Sequence, residues 1–223
     1  MQWNLEVVPV CVSDVDNARQ FYAEKVGFNL DLDLWVTDPT GDNELARQRL
    51  LATFSDIACV DDIAHQHRQT AEQWVRSGAP LWRTEKPATP PMHLVSYFQM
   101  HDPETGRFLL VEHLTAGLLL PTGGHVEPGE DPWATVVREC SEELRYVPDK
   151  LVAPSFLTVT TTIGSGQHTD VSLWYTLQVP ESTINWYDPG EFAGTHWLSR
   201  TEILNTPSDQ LDPHMHRYLS VVA

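Results

Sequence analysis

The spacing of hydrophobic positions changes period several times along the chain, and each change marks an element. The first run, LEVVPVCV, is apolar and β-branched and reads as a strand. Ser13 or Asp14 then offers a helix cap, and Ala18, Phe21, Tyr22 and Val26 recur at helical spacing until Gly27. FNLDLDLWV alternates apolar with polar residues, as a half-buried strand does. Residues 37–55 begin with turn-forming residues, TDPTGDNELARQRL, and read as a linker. The pattern turns helical again from about Ser55, with a helix that starts at Asp61-Asp62, passes Trp74 and Val75, and stops at Gly78. The proline-rich APLWRTEKPATPP reads as an extended loop.

A strand-rich stretch follows. HLVSYFQM and RFLLVEH (107–113) flank DPETG, whose Asp, Pro and Gly occupy turn-favoured places. LLLP leads into Gly123-Gly124. FLTVTTTIG and HTDVSLWYTLQV form a long hairpin around SGQ, and INWYDPGEFAGTHWLS holds a loop and a short strand. Asp212-Pro213 begins a last helix through Val222, with Met215, Tyr218, Leu219 and Val222 on one side. Strands before and after one internal helix predict an α/β fold with a mixed sheet between helices.

That internal helix carries the chemistry. In GHVEPGEDPWATVVRECSEELRY, Gly124 is followed after five residues by Glu130, after seven more by Arg138-Glu139, and after two more by Glu142-Glu143. Six such positions coincide by chance about once in ten million start sites or less. Asp131 is a cap and Pro132 suits the first helical position. Residues three and four apart share a face, so Glu139, Glu142 and Glu143 project together, and Arg138 reaches Glu142. Ala134, Val137, Cys140 or Ser141, and Leu144 make the face that packs on a sheet. Crowded glutamates repel, and a hard divalent cation removes that penalty.

The motif resembles the signature of the Nudix hydrolases, G-x5-E-x7-R-E-U-x-E-E-x-G-U, with U a bulky apolar residue. Cys140 and Tyr146 stand at aliphatic positions and Arg145 at the usual glycine. The resemblance implies an α/β/α sandwich over residues 56–223 and cleavage of a phosphoanhydride bond in a nucleoside diphosphate derivative: a nucleoside triphosphate, a nucleotide sugar or a dinucleotide. It implies Mg²⁺ or Mn²⁺ as cofactor, Glu139, Glu142 and Glu143 as metal ligands, and the Gly123 carbonyl as a further ligand. Arg138 would orient the glutamates, and Gly124 and Glu130 would support them. A carboxylate from a downstream loop would act as general base or water-mediated ligand. Glu191 is the first candidate, with Asp188 and Asp170 as rivals. Arginine at position 145 would either adopt a left-handed conformation, at roughly 1 kcal/mol, or let the helix run on.

A second resemblance covers only residues 4–36. VPVCVSDVDNARQFYAEKVGF is similar to the opening of a vicinal-oxygen-chelate domain, of the glyoxalase and bleomycin-resistance superfamily. It is too short to form that fold's metal cup, and Val7 stands where a ligand is usual. The expectation is a β-α-β extension serving packing or dimerisation, since Leu30, Leu32, Leu34 and Val36 need a partner surface.

Composition narrows the partners. With 14 basic and 31 acidic residues the formal charge is −17, which repels nucleic-acid strands but leaves a nucleotide bound through Mg²⁺ open. No run of 18 apolar residues suggests a membrane span, and MQWNLEVVPV lacks the features of a signal peptide. Three cysteines are too few for a disulfide framework and fit a reducing cytoplasm. The ten histidines look dispersed, without zinc-site spacing to the cysteines. His125 could face phosphate and His168 and Asp170 open a strand, but each reads first as an ordinary hydrogen-bonded or exposed residue; Trp82, Trp174 and Trp186 are conceivable stacking platforms, though a strand tryptophan is usually core and none is assigned. Two other functions fit the same fold: an isoprenyl diphosphate isomerase-like enzyme, which needs a further catalytic Cys and Glu, and a nucleotide sensor that does not cut.

Overall fold

The computed structural model describes residues 44–86, 88–162 and 166–222. The β-α-β reading of residues 4–36 lies outside the described residues. Two helices come first, α1 (Glu44–Asp56) and α2 (Asp62–Arg76). The strands β1 (Met92–His101), β2 (Arg107–His113), β3 (Leu118–Leu120) and β4 (Thr122–His125) precede helix α3 (Pro132–Leu144). After it come β5 (Phe156–Thr161), β6 (Thr169–Gln178), β7 (Phe192–Ser199), α4 (Arg200–Asn205) and α5 (Met215–Leu219). The seven strands form one mixed sheet in the order β3-β2-β1-β6-β5, with β4 paired to β1 and β7 to β2.

Strand β1 is the axis of this sheet. It runs parallel to β6 from Met92↔Thr169 to His101↔Gln178 and antiparallel to β4 from Val95↔His125 to Phe98↔Thr122. Side chains alternate between the two faces, and β6 shows which face meets which helix. Trp174 packs against Phe156 and stacks on Tyr218 of α5 with ring centroids 5.0 Å apart. Its neighbour Tyr175 points the other way, towards Trp133 of α3 at 5.7 Å. The sheet is therefore covered on both faces. One core gathers Phe108, Leu110, Phe156, Trp174, Ile203, Met215 and Tyr218; α3 closes the opposite face.

Several sequence expectations shift. The linker read over 37–55 is helical from Glu44 onward, because Ala46, Leu50 and Phe54 recur every four residues and are buried. The buried Arg47 of α1 donates to the carbonyls of Val75 (2.9 Å), Gly78 (3.2 Å) and Ala79 (2.8 Å), satisfying the C-terminal end of α2. The terminal helix expected from Asp212 to Val222 is short, Met215–Leu219, and a separate helix α4 precedes it. Ser199 and Glu202 form the capping box that starts α4. On α3 the packing face is not Ala134 and Val137 but Trp133, Val136, Cys140 and Leu144. With Trp133 and Val136 packed on the sheet, Glu143 lies on the buried side of the helix as well.

Arg145 takes the left-handed conformation, φ 52° and ψ 34°, so the helix ends where glycine would have ended it. Its N–H donates to Ser141 O and that of Tyr146 to Cys140 O, at 3.2 and 3.1 Å. The guanidinium lies 4.0 Å above the Trp186 ring. Capping hydrogen bonds and a cation–π contact of about 0.5–1 kcal/mol offset a backbone cost of similar size.

Asp61 ties α2 to α5. It caps α2 through Ala64 N–H (2.6 Å) and accepts two hydrogen bonds from Arg217, at 2.9 and 2.7 Å. The Arg217 hydrogen bonds, then the Ala64 N–H, hold its carboxyl at about 2, below the ordinary 3.8. A depressed folded-state pKa gives stability that is present above about pH 4 and lost as pH falls towards 2. Because the pair is partly exposed and screened, the contribution is set at about 1 kcal/mol. Asp61→Asn, which keeps a capping oxygen, should lower stability by that amount at pH 7 and leave it unchanged near pH 2. Chemical denaturation across that range measures the difference.

Candidate active site

The site begins with two glycines on β4, one packed tightly against β1 and the other against α3. Gly123 has φ +144°, and a Cβ there would lie 2.2 Å from Ser96 O. A Cβ on Gly124 would lie 1.9 Å from Glu139 Oε1, so the glutamate occupies the space a side chain would fill. The same close approach lets Gly123 N–H donate to Glu143 Oε2 at 3.2 Å.

Arg138 is the centre of the charged network. Its Nε and Nη2 donate to both oxygens of Glu130 at 2.9 and 3.0 Å, a bidentate pairing. Nη1 donates to Glu139 Oε1 at 2.7 Å and lies 3.4 Å from Glu142 Oε2, while Nη2 also donates to His125 O at 3.1 Å. Glu130 is held from its other side by Thr135 Oγ1 (2.8 Å) and Glu127 N–H (3.1 Å). The hydrogen bonds to Glu130 keep Arg138 charged. Glu139 is thereby fixed against β4, and Glu142 stays largely in solvent with its side chain 62 % exposed.

Glu143 is only 3 % exposed. Burial first, then the neighbouring charges of Glu139 and Glu191, push its carboxyl well above the usual range. Burial likewise raises Glu139, against the pull of Arg138. The loop before β7 is fastened here by its backbone: Asp188 N–H donates to Glu143 O at 2.9 Å, and Leu114 N–H to Glu191 O at 2.9 Å. Glu191 is thus an exposed loop acid whose charge reaches Glu139 and Glu143. Of its rivals, Asp188 spends Oδ1 on Gly190 N–H (2.8 Å), and Asp170 is buried on the other face of the sheet. Trp82 and Trp174 are buried and offer no stacking surface, and Trp186 has one face covered by Arg145.

A buried carboxylate beside two like charges, with one N–H donor, is a costly arrangement that a hard cation relieves. The oxygen-only donor set suits Mg²⁺ or Mn²⁺. The residues therefore fit a divalent-metal site.

The family model described as NUDIX domain matches residues 94–219. That span holds the sheet, α3 and the C-terminal helices, and the chain belongs to the Nudix family. It is a hydrolase acting on pyrophosphate bonds. No curated protein sequence matches the chain. Among solved structures the chain is similar to a MutT NUDIX hydrolase from Burkholderia pseudomallei, at 20 % identity over 59 % of this chain and 98 % of that one, TM-score 0.46. It is also similar to a MutT protein from Methanosarcina mazei Go1, at 19 % identity over 58 % and 91 %, TM-score 0.46. A third is the NUDIX domain of Shewanella oneidensis NrtR complexed with ADP ribose, at 16 % identity over 57 % and 83 %, TM-score 0.46.

The sequence reading did not assemble one cluster. His93, His125, His168 and Asp170 bring one ligand atom each within 4.8 Å of one another. His93 was not singled out, and no spacing along the chain signals it. Parallel register alone sets His93 opposite Asp170.

Gly124→Ala tests the close approach of β4 and α3. The added methyl must push Glu139 away from its hydrogen bond to Arg138. Turnover should fall by about tenfold or more, while the helical circular dichroism signal stays unchanged. Wild-type turnover would show that this contact does not position Glu139.

Proposed function

We propose that the chain is a metal-dependent pyrophosphohydrolase of a small nucleoside diphosphate derivative. Glu139, Glu142 and Glu143, with the Gly123 carbonyl, would hold Mg²⁺ or Mn²⁺. The observation that carries this reading is the buried Glu143, whose carboxyl feels the charges of Glu139 and Glu191. When bound, the cation would supply positive charge for the diphosphate oxygens and acidify a water. The protein's part is geometric and protolytic. Arg138 fixes Glu139 and Glu130 so that the acidic set is in place before substrate arrives. Glu191, on a loop tethered to α3 through Asp188 N–H and Glu143 O, is the carboxylate we assign to accept the proton of the attacking water.

Cys140 speaks against an isomerase-like chemistry. It is fully buried on α3, and burial, with Glu143 and Glu139 nearby, pushes its thiol well up, so it offers no accessible acid or nucleophile. The intact acidic set favours cutting over sensing. A panel of dNTPs, oxidised dGTP, ADP-ribose, NADH, nucleotide sugars and dinucleoside polyphosphates, assayed with Mg²⁺ for released phosphate or nucleotide, identifies the substrate.

Glu143→Gln separates catalysis from stability. Removing a buried charge beside two others should leave the metal-free protein as stable as wild type or about 1 kcal/mol more so. The kcat should fall by two to four orders of magnitude, on the order expected for loss of an acid–base or metal-holding group. Thermal melts in chelator and steady-state rates in Mg²⁺ read the two effects, and near-wild-type turnover would refute the assignment.

A further inference from the structure

The face of the sheet opposite α3 carries a second set of ligating atoms that the glutamate site does not use. His93 on β1, His125 on β4 and Asp170 on β6 share this face, because Val95 pairs with His125 and His93 with Asp170. It is the Trp174 face, since residues 170 and 174 share their side of β6. His168, just before β6, stacks on His93 with ring centroids 4.8 Å apart. Three Nε2 atoms surround one carboxylate oxygen: Asp170 Oδ1 lies 3.2 Å from His168, 3.6 Å from His93 and 3.8 Å from His125. A tetrahedral zinc with bonds of 2.0–2.1 Å sets its ligand atoms about 3.3 Å apart, close to these spacings.

Two further observations point into the centre of this cluster. His93 Nε2 and Asp170 Oδ1 are buried and have no hydrogen-bond partner among the described residues. Buried polar atoms of that kind call for an explanation, and an unplaced ion is one. The outer nitrogens of His93 and His168 are meanwhile satisfied. His93 Nδ1 donates to Pro90 O at 2.8 Å, and His168 Nδ1 to Gly166 O at 2.7 Å. Those bonds leave the Nε2 lone pairs aimed inward, the arrangement that orients ligating histidines in metal sites. Arg83 Nη1 lies 3.2 Å from His125 Nε2; a cation would take that lone pair, and the half-exposed guanidinium would turn outward.

We propose that His93, His125, His168 and Asp170 form a second metal site, a tetrahedral centre for Zn²⁺ or a similar imidazole-preferring ion, distinct from the carboxylate site on α3. Three imidazoles and one carboxylate suit such an ion, whereas the all-oxygen glutamate set suits Mg²⁺. The site lies where β1, β4 and β6 meet, so an ion there would clamp three strands far apart in sequence.

Metal binding to the full chain tests this apart from activity. The protein, stripped with chelator and given Zn²⁺, should keep about one zinc per chain through gel filtration, measured by elemental analysis. Co²⁺ in its place should give the intense visible bands of a tetrahedral centre, which an oxygen-ligated octahedral site lacks. Asp170→Asn and His168→Ala should each weaken zinc binding by about tenfold or more, with folding checked by circular dichroism. His168 is part-exposed, so that variant informs even if the Asp170 substitution does not fold. The Glu139→Gln/Glu143→Gln double variant should retain zinc and the cobalt bands. Absence of retained zinc, equal retention in His168→Ala, or loss of zinc in the glutamate variant alone would each overturn the proposal.

Discussion

The site rests on an excess of negative charge gathered on one helix with a single guanidinium to hold it. Arg138 engages Glu130, Glu139 and Glu142, and nothing comparable faces Glu143 or Glu191 among the described residues. The imbalance is structural as well as chemical. Glu143 is carried inward because Trp133, Val136 and Cys140 anchor α3 on the sheet, and a residue seven beyond Val136 returns to the same side. A helix packed this way bears the desolvation of a carboxylate as a standing cost, one that a bound cation would relieve.

The glycines of β4 make that geometry physically possible. A helix cannot bring a glutamate this close to a strand unless the strand gives up a side chain, and Gly124 does so against Glu139, while Gly123 gives up its own against the backbone of β1. Charge, packing and backbone are thus one constraint, read at three scales. The −17 formal charge of the chain fits the same picture, in which positive potential is supplied locally by Arg138 and, in the function proposed, would be supplied by a cation.

Much of this was legible in the sequence because it is local. The capping Asp131, Pro132 and the i, i+3, i+4 spacing of the glutamates specify a helix and its acidic face without reference to anything distant. Strands β1, β2, β5 and β6 and the turn 102–106 likewise follow from alternation and turn residues. The sequence is ambiguous where two local signals compete. ELARQRLLATF has a helical period, but the Asp, Pro and Gly ahead of it suggested a linker; burial of Leu50 and Phe54 decided for helix. Which face of α3 is buried depended on what Trp133 met, namely Tyr175 on β6.

The sequence by itself determined the motif helix, its carboxylates and the family to which the chain belongs, since fixed spacing on one helix is preserved whatever the helix packs against. Only the tertiary structure decided which glutamate is buried, how Arg145 ends the helix over Trp186, and that His93, His125, His168 and Asp170 meet. Those four residues span 78 positions of the chain. Their proximity is a property of sheet register, with parallel β1–β6 and antiparallel β1–β4 pairing, and register is set by the packing of whole strands on a common core.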